Sequence, residues 1–277
     1  MAWHATLHLN YRRDGERTTA WDRHEGPLRV LQRLYPEGPG ICHHVLVHPP
    51  GGIVGGDVLN LQATLQAGSH ALITTPGATR FYRSAGDTSE QRVTAWLADG
   101  ARLEWLPLET IVYSGCKARN SLRFELAPGA QMIGWDVLAL GLPAAGQSFD
   151  KGRFLQHLEL PGVWLERGAI DAADTALLDS PLGWAGRRVL ATLWFASGAV
   201  IAPPFHDALL AAAREQIEGD LALAAHAGVT LLQERVVVLR ALALRVEPAM
   251  QLLAKVRAAW RQIAWGADAT APRVWRT

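Results

Sequence analysis

Four carboxylates stand where a folded chain tolerates them poorly. Asp57 ends a glycine-rich loop, Glu104 lies between Leu103 and Trp105, Asp136 follows Trp135 in an apolar run, and Glu166 follows Trp164-Leu165. A carboxylate in an apolar strand carries a desolvation cost unless it is paired, hydrated or bound to a cation. Two arrangements meet that condition. The acids are separate and each hydrogen-bonded, with Asp57 capping its own loop. Alternatively they line a wet interior path along which hard and borderline cations pass by successive weak coordination, since a conduit must release what it binds.

Cys42, His43, His44 and His48 form a second group. Thiolate and imidazole suit nickel and zinc, but a closed tetrahedral site needs four ligands at fitting spacing. Neighbouring strand residues point to opposite faces, so His43 and His44 do not easily share an ion. Cys42, His44 and His48 share a face only on a straight strand, and the span from Cys42 to His48 is too long for one ion. The expectation is no tightly held metal, with transient contact at Cys42, His43 and His48. Nucleophilic chemistry has little support: Gly-x-Ser-x-Gly is absent, and Ser114-Gly115-Cys116 lacks an upstream partner histidine. The glycine run fits no dinucleotide fingerprint, and no Gly-Lys-Ser/Thr phosphate loop occurs, which argues against nucleotide hydrolysis.

The elements that must position these groups read mainly as β. Leu7-x-Leu9-x-Tyr11 alternates, Asp14-Gly15 signals a hairpin, and Thr18 to Trp21 resumes a strand. A strand–glycine turn–strand unit then recurs at Leu65 to Ile73, Leu97 to Trp105 and Leu126 to Gly134, with turn glycines about 30 residues apart. Each unit has an apolar face it cannot bury alone, so stacking predicts a layered, β-helix-like architecture. Strands continue at Phe154 to Leu160, Trp164 to Ile170 and Val189 to Phe195. The period then changes. Asp207 to Ile217 is alanine-rich and helical, strands follow at Val229 to Leu232 and Arg235 to Leu244, and a last helix runs from Pro248 to Ile263. The reading is one domain over residues 1–277, with stacked β to about residue 200 and an α/β portion containing two helices from about 201.

Composition sets the bounds. The chain has 277 residues, 49% apolar and 19% charged, enough for a sizeable core. Net charge is +1 and no Lys/Arg block stands out, so a nucleic-acid partner is not expected. Two cysteines do not make a disulfide scaffold. Met1-Ala2-Trp3-His4 lacks a signal-peptide layout, and no uncharged apolar run reaches about 18 residues. These features point to a cytoplasmic protein with no membrane span. Eleven tryptophans suit core packing or a protein interface.

Several segments carry a family likeness. In order they are Cys42-His43; His48-Pro49-Pro50-Gly51-Gly52-Ile53-Val54-Gly55-Gly56-Asp57; Thr75-Pro76-Gly77-Ala78-Thr79-Arg80-Phe81-Tyr82-Arg83; Leu103-Glu104-Trp105-Leu106-Pro107; Gly134-Trp135-Asp136; and Pro272-Arg273-Val274-Trp275-Arg276-Thr277. Together they resemble the UreD family of urease accessory proteins, called UreH in some organisms, over nearly the whole chain. The resemblance implies a non-enzymatic scaffold for urease maturation that binds UreF directly, UreG through UreF, and apo-urease. It implies a largely β, helix-like fold and an internal tunnel for transient nickel, with no tightly bound cofactor. The family's tunnel acids fall on Asp57, Asp136 and Glu166, and Glu104 joins them as a carboxylate in an apolar strand. Where family members commonly carry arginine and glutamate in Leu-Gly-Arg-Pro…Gly-Glu-x-Phe, this chain has Leu142 and Gln147. Both changes remove charge, which puts ion contact by that segment in doubt. The competing class is a metal-dependent β-helical enzyme using Asp57, His48 and Glu104.

Overall fold

The computed structural model describes residues 2–276, so Met1 and Thr277 of the terminal segments fall outside the described residues. Alternating apolar positions and glycine turns build the first half. A hairpin of β1 (His4–Asp14) and β2 (Arg17–Glu25) turns at Gly15, whose φ of 56° favours glycine. β3 (Arg29–Leu34) and β4 (Ile41–Val47) pair antiparallel. Three coils follow, each a strand, a glycine turn and a second strand. They are β5 (Val58–Leu65) and β6 (His70–Thr74); then, after the short β7 (Thr79–Phe81), β8 (Ser89–Leu97) and β9 (Arg102–Leu106); then, after the short β10 (Thr110–Val112), β11 (Cys116–Leu126) and β12 (Gln131–Leu140). The turns stack on one another. Gly68 N–H donates to Asp99 O at 3.1 Å, and Gly129 N–H donates to the Asp99 carboxylate at 2.9 Å. A Cβ on Gly129 would lie 2.3 Å from that carboxylate, so the stack requires glycine there.

The first strands of the coils join in parallel as β1-β5-β8-β11-β13, and the second strands as β4-β6-β9-β12. Here β13 (Gly152–Leu160) returns to the first sheet and turns into the antiparallel edge strand β14 (Trp164–Asp171). The result is a seven-stranded sheet facing a ten-stranded one, the stacked β architecture expected from the repeat. The main core fills the space between the two inner faces.

After the short helix α1 (Thr175–Asp179), which the sequence reading did not anticipate, the larger sheet is extended by antiparallel strands. β15 (Val189–Ser197) pairs β12, and β17 (Val236–Ala243) lies between β15 and β16 (Ala227–Leu232). Helices α2 (Pro203–Glu218) and α3 (Val246–Trp265) are the two expected C-terminal helices. They bury Leu209, Ala213 and Ile217, and Leu252, Leu253, Val256 and Trp260, in a second core on the outer face of the larger sheet. Trp260 Nε1 donates to Leu209 O at 2.8 Å and ties α3 to α2. Trp105, Trp135, Trp164, Trp184, Trp194 and Trp260 are all buried, so core packing takes most of the tryptophans. No helix among the described residues is long and apolar enough to cross a membrane.

Candidate functional site

The site begins with side-chain parity. Along β12, Met132, Leu138 and Leu140 face the space between the sheets, while Ile133, Trp135 and Val137 face the helices. Asp136 therefore points between the sheets, and it is 4% exposed. Opposite it, one register level of the smaller sheet carries amides where apolar side chains would pack: Gln91 on β8, Asn120 on β11 and Gln156 on β13. These groups connect. Gln91 Nε2 donates to Asn120 Oδ1 at 3.2 Å, Asn120 Nδ2 lies 3.5 Å from Asp136 Oδ1, and Gln156 Nε2 donates to Asp136 Oδ2. Burial, reinforced by the nearby Glu166 charge and opposed by the Gln156 hydrogen bond, lifts the Asp136 carboxyl to a pKa of about 7. Glu166, on β14, is also raised by burial, and the Arg240 guanidinium that it binds opposes the rise.

Each end of this polar file meets a concavity. Gln91 lines a cavity of about 260 Å³, and Gln156 and Glu166 line a cleft of about 430 Å³ at the β14 edge. The cavity is built by the two most distinctive sequence segments. His48, Gly51, Gly52 and Ile53 form one wall, and Thr75 to Arg80 another. Ile53 N–H donates to Arg80 O at 2.7 Å and Tyr82 N–H donates to Ile53 O at 2.9 Å, pinning the segments together. A Cβ on Gly52 would fall 2.0 Å from the Tyr82 ring, so that contact requires glycine. Pro76 and Gly77 belong to the wall, Phe81 packs edge-on against Phe154 in the core, and the Arg83 Cβ lies 3.2 Å from where a Gly115 Cβ would sit. Two buried polar atoms of the cavity lining, His48 Nε2 and Trp105 Nε1, have no hydrogen-bond partner. Burial lowers the His48 pKa, with Asp57 opposing, so a neutral imidazole is favoured there.

The remaining predicted residues lie elsewhere. Asp57 caps its own loop: its carboxylate accepts from Trp3 N–H at 2.7 Å and Val54 N–H at 3.0 Å, with Pro49, Pro50, Gly55 and Gly56 shaping the approach. Glu104 is not on the file. It points from β9 to the opposite face of the larger sheet, under α3, and is fully buried. Arg257 Nη2 binds it at 2.6 Å, Arg261 Nε at 3.1 Å and His70 Nε2 at 3.2 Å. Burial raises the pKa of Glu104, and Arg257, His70 and Arg261 more than reverse this, holding it at about 2. Two guanidiniums leave this carboxylate no attraction for a further cation.

His43 and His44 do point to opposite faces. His43 Nε2 meets Glu37 at 2.8 Å, and His44 Nδ1 meets the Tyr11 hydroxyl at 2.7 Å in the inner core beside Cys42. Among the described residues no three of His, Cys, Asp or Glu group to hold a metal ion. Asp57, His48 and Glu104 are accordingly not brought together. Leu142 and Gln147, the departures from the family pattern, face each other across a small turn through paired backbone hydrogen bonds of 2.6 and 3.1 Å. Gln91, Asn120 and Gln156 escaped the sequence reading. Their signal was a polar residue at the inward parity, as in Ala118-x-Asn120-x-Leu122.

These features define a stacked-β sandwich with a polar file through its interior and no convergent metal centre among the described residues. The chain belongs to the UreD urease accessory protein family, whose model matches residues 4–276. It is 66% identical over 279 residues to the urease accessory protein UreD of Leptothrix cholodnii, covering 100% of both chains. It is 60% identical over 275 residues to that of Albidiferax ferrireducens, covering 99% of each, and 58% identical over 277 residues to that of Variovorax paradoxus, covering 100% of each.

Proposed function

We propose that this chain is a non-catalytic scaffold for urease maturation in the cytoplasm. In this reading it binds UreF directly, UreG through UreF, and apo-urease, and nickel passes through its interior as transient cargo toward the urease active site. Family membership supports the maturation role. The observation that carries the transport reading is the file Gln91–Asn120–Asp136–Gln156, which runs between a cavity and an edge cleft. Its chemistry suits passage more than storage. Amide oxygens and one carboxyl are weak, exchangeable oxygen donors, and a neutral imidazole at the cavity offers a nitrogen for the first contact. A carboxyl with a pKa of about 7 gives up its proton as a cation arrives and regains it as the cation leaves. The path candidates in this reading are His48, Asp136 and Glu166, with Asp57 shaping the entrance. Glu104 has no part in the path, because Arg257 and Arg261 already neutralise its charge.

The test is Asp136→Ala, coexpressed with urease and the other accessory proteins. The variant should still copurify with UreF and apo-urease, while nickel per urease falls severalfold. Normal nickel content in the urease it matures would sink the transport reading.

A further inference from the structure

The cleft end of the file has an opening and a charge across it. β14 is an edge strand of the smaller sheet and β16 of the larger, and both present glycine at the register level of the file. Gly168 lies opposite Gln156, and Gly228 lies opposite Arg240. Neither is forced by backbone conformation, because neither has positive φ, and nothing lies within 4 Å of where either Cβ would sit. The edge of the sandwich is thus left unfilled beside Gln156. Arg240 follows Asp136 and Thr192 across the larger sheet at this same level. Its guanidinium reaches over to Glu166 on the other sheet, and the pair spans the gap.

We propose that Arg240 is the gate of this opening, an inference that rests on the transport reading above. The guanidinium occupies the carboxylate that a divalent cation must use beyond Asp136, and its own positive charge repels that cation. A like charge fixed beside the oxygen donors opposes a cation more than weak oxygen coordination attracts it. The side chain is built to move. It is 48% exposed while Glu166 is 22% exposed, so it can swing into solvent and leave the acid in place. With Arg240 turned away, Glu166, Gln156 and Asp136 form a continuous oxygen-lined exit. The gate holds cations inside until the ion pair opens.

The probe is Ni²⁺ titrated into the full-length chain by calorimetry. Arg240→Gln should bind Ni²⁺ about tenfold or more tighter than wild type, a gain of about 1.4 kcal/mol or more. The gain should vanish in Arg240→Gln combined with Asp136→Asn, and Arg240→Lys, which keeps the charge, should behave as wild type. An Arg240→Gln affinity equal to wild type overturns the gate. The transport reading is checked separately with Gly168→Leu, which plugs the opening without touching a charged group. If Gly168→Leu lowers the nickel content of matured urease while Arg240→Gln binds Ni²⁺ no better, the passage stands and the gate falls. If Arg240→Gln gains affinity but Gly168→Leu matures urease normally, the passage is absent and the gate falls with it.

Discussion

Replacing Asp136 by asparagine should stabilise the protein at alkaline pH, against the usual expectation for a buried polar residue. The folded carboxyl has a pKa of about 7, driven first by burial and then by Glu166, whereas the unfolded chain titrates near 4. Between these values the folded state binds more protons than the unfolded one. Wild-type stability therefore falls as pH rises through about 4 to 7 and levels off above. A shift of about 3 units at about 1.4 kcal/mol per unit means that ionising Asp136 costs the fold about 4 kcal/mol at pH 8. Asparagine stays neutral, keeps an oxygen for Gln156 and presents an amide to Asn120, at a hydrogen-bond loss of about 1 kcal/mol. The net expectation is a gain of about 3 kcal/mol at pH 8, shrinking to zero or slightly below at pH 4. Thermal unfolding followed by tryptophan fluorescence at closely spaced pH values reads it, since about 2 °C of midpoint per kcal/mol is expected for a chain near this size. An Asp136→Asn protein less stable than wild type at pH 8 would show that ionising the carboxylate costs the fold nothing there, and the raised pKa would then be the wrong description.

Four further outcomes follow from the same geometry. Glu104→Leu should destabilise by about 3–5 kcal/mol in urea unfolding, because Arg257 and Arg261 would be left buried without their shared carboxylate. With its folded pKa lowered to about 2, Glu104 contributes stability that is complete above about pH 4.5 and lost as pH falls toward 2; Glu104→Gln should flatten the acid unfolding curve in that window, and an unchanged curve would contradict the pairing. Asp57→Ala orphans the Trp3 and Val54 N–H groups, at about 1–3 kcal/mol, so hydrogen exchange should accelerate at Val54 and its neighbours and leave the β11–β13 pairing protected. Burial pushes Cys42 to about 11 and Cys116 to about 12, so neither thiol should react with an aromatic disulfide at pH 8 until urea is added.

Asp136 and Glu104 look alike in the sequence, each an acid beside a tryptophan in an apolar strand, yet they hold opposite places in the molecule. Part of that difference was legible. The turn glycines Gly100 and Gly129 occupy equivalent points of successive coils, and their strands pair with Ile133 beside Glu104. Counted from its own turn, Asp136 has the opposite parity to Glu104, so the two could never face the same space. The coils themselves were legible for the same reason: alternation and a glycine turn are recorded within ten residues of chain. What alternation does not record is the identity of the facing element. Glu104 is neutralised by arginines on a helix more than 150 residues away, and those arginines sit on the buried stripe of α3, where the apolar period hides them. Asp136 meets the amides of Asn120 and Gln156 directly and that of Gln91 through Asn120, and only the parallel register brings the three to one level. A carboxylate's role is set by the charge that faces it, so an acid in an apolar strand marks a question that only the opposing sheet or helix answers. Here the opposing groups are two guanidiniums for Glu104, and two neutral amides with a nearby carboxylate, Glu166, for Asp136. That difference makes the first acid a structural anchor and leaves the second a carboxyl that keeps its proton up to about neutral pH.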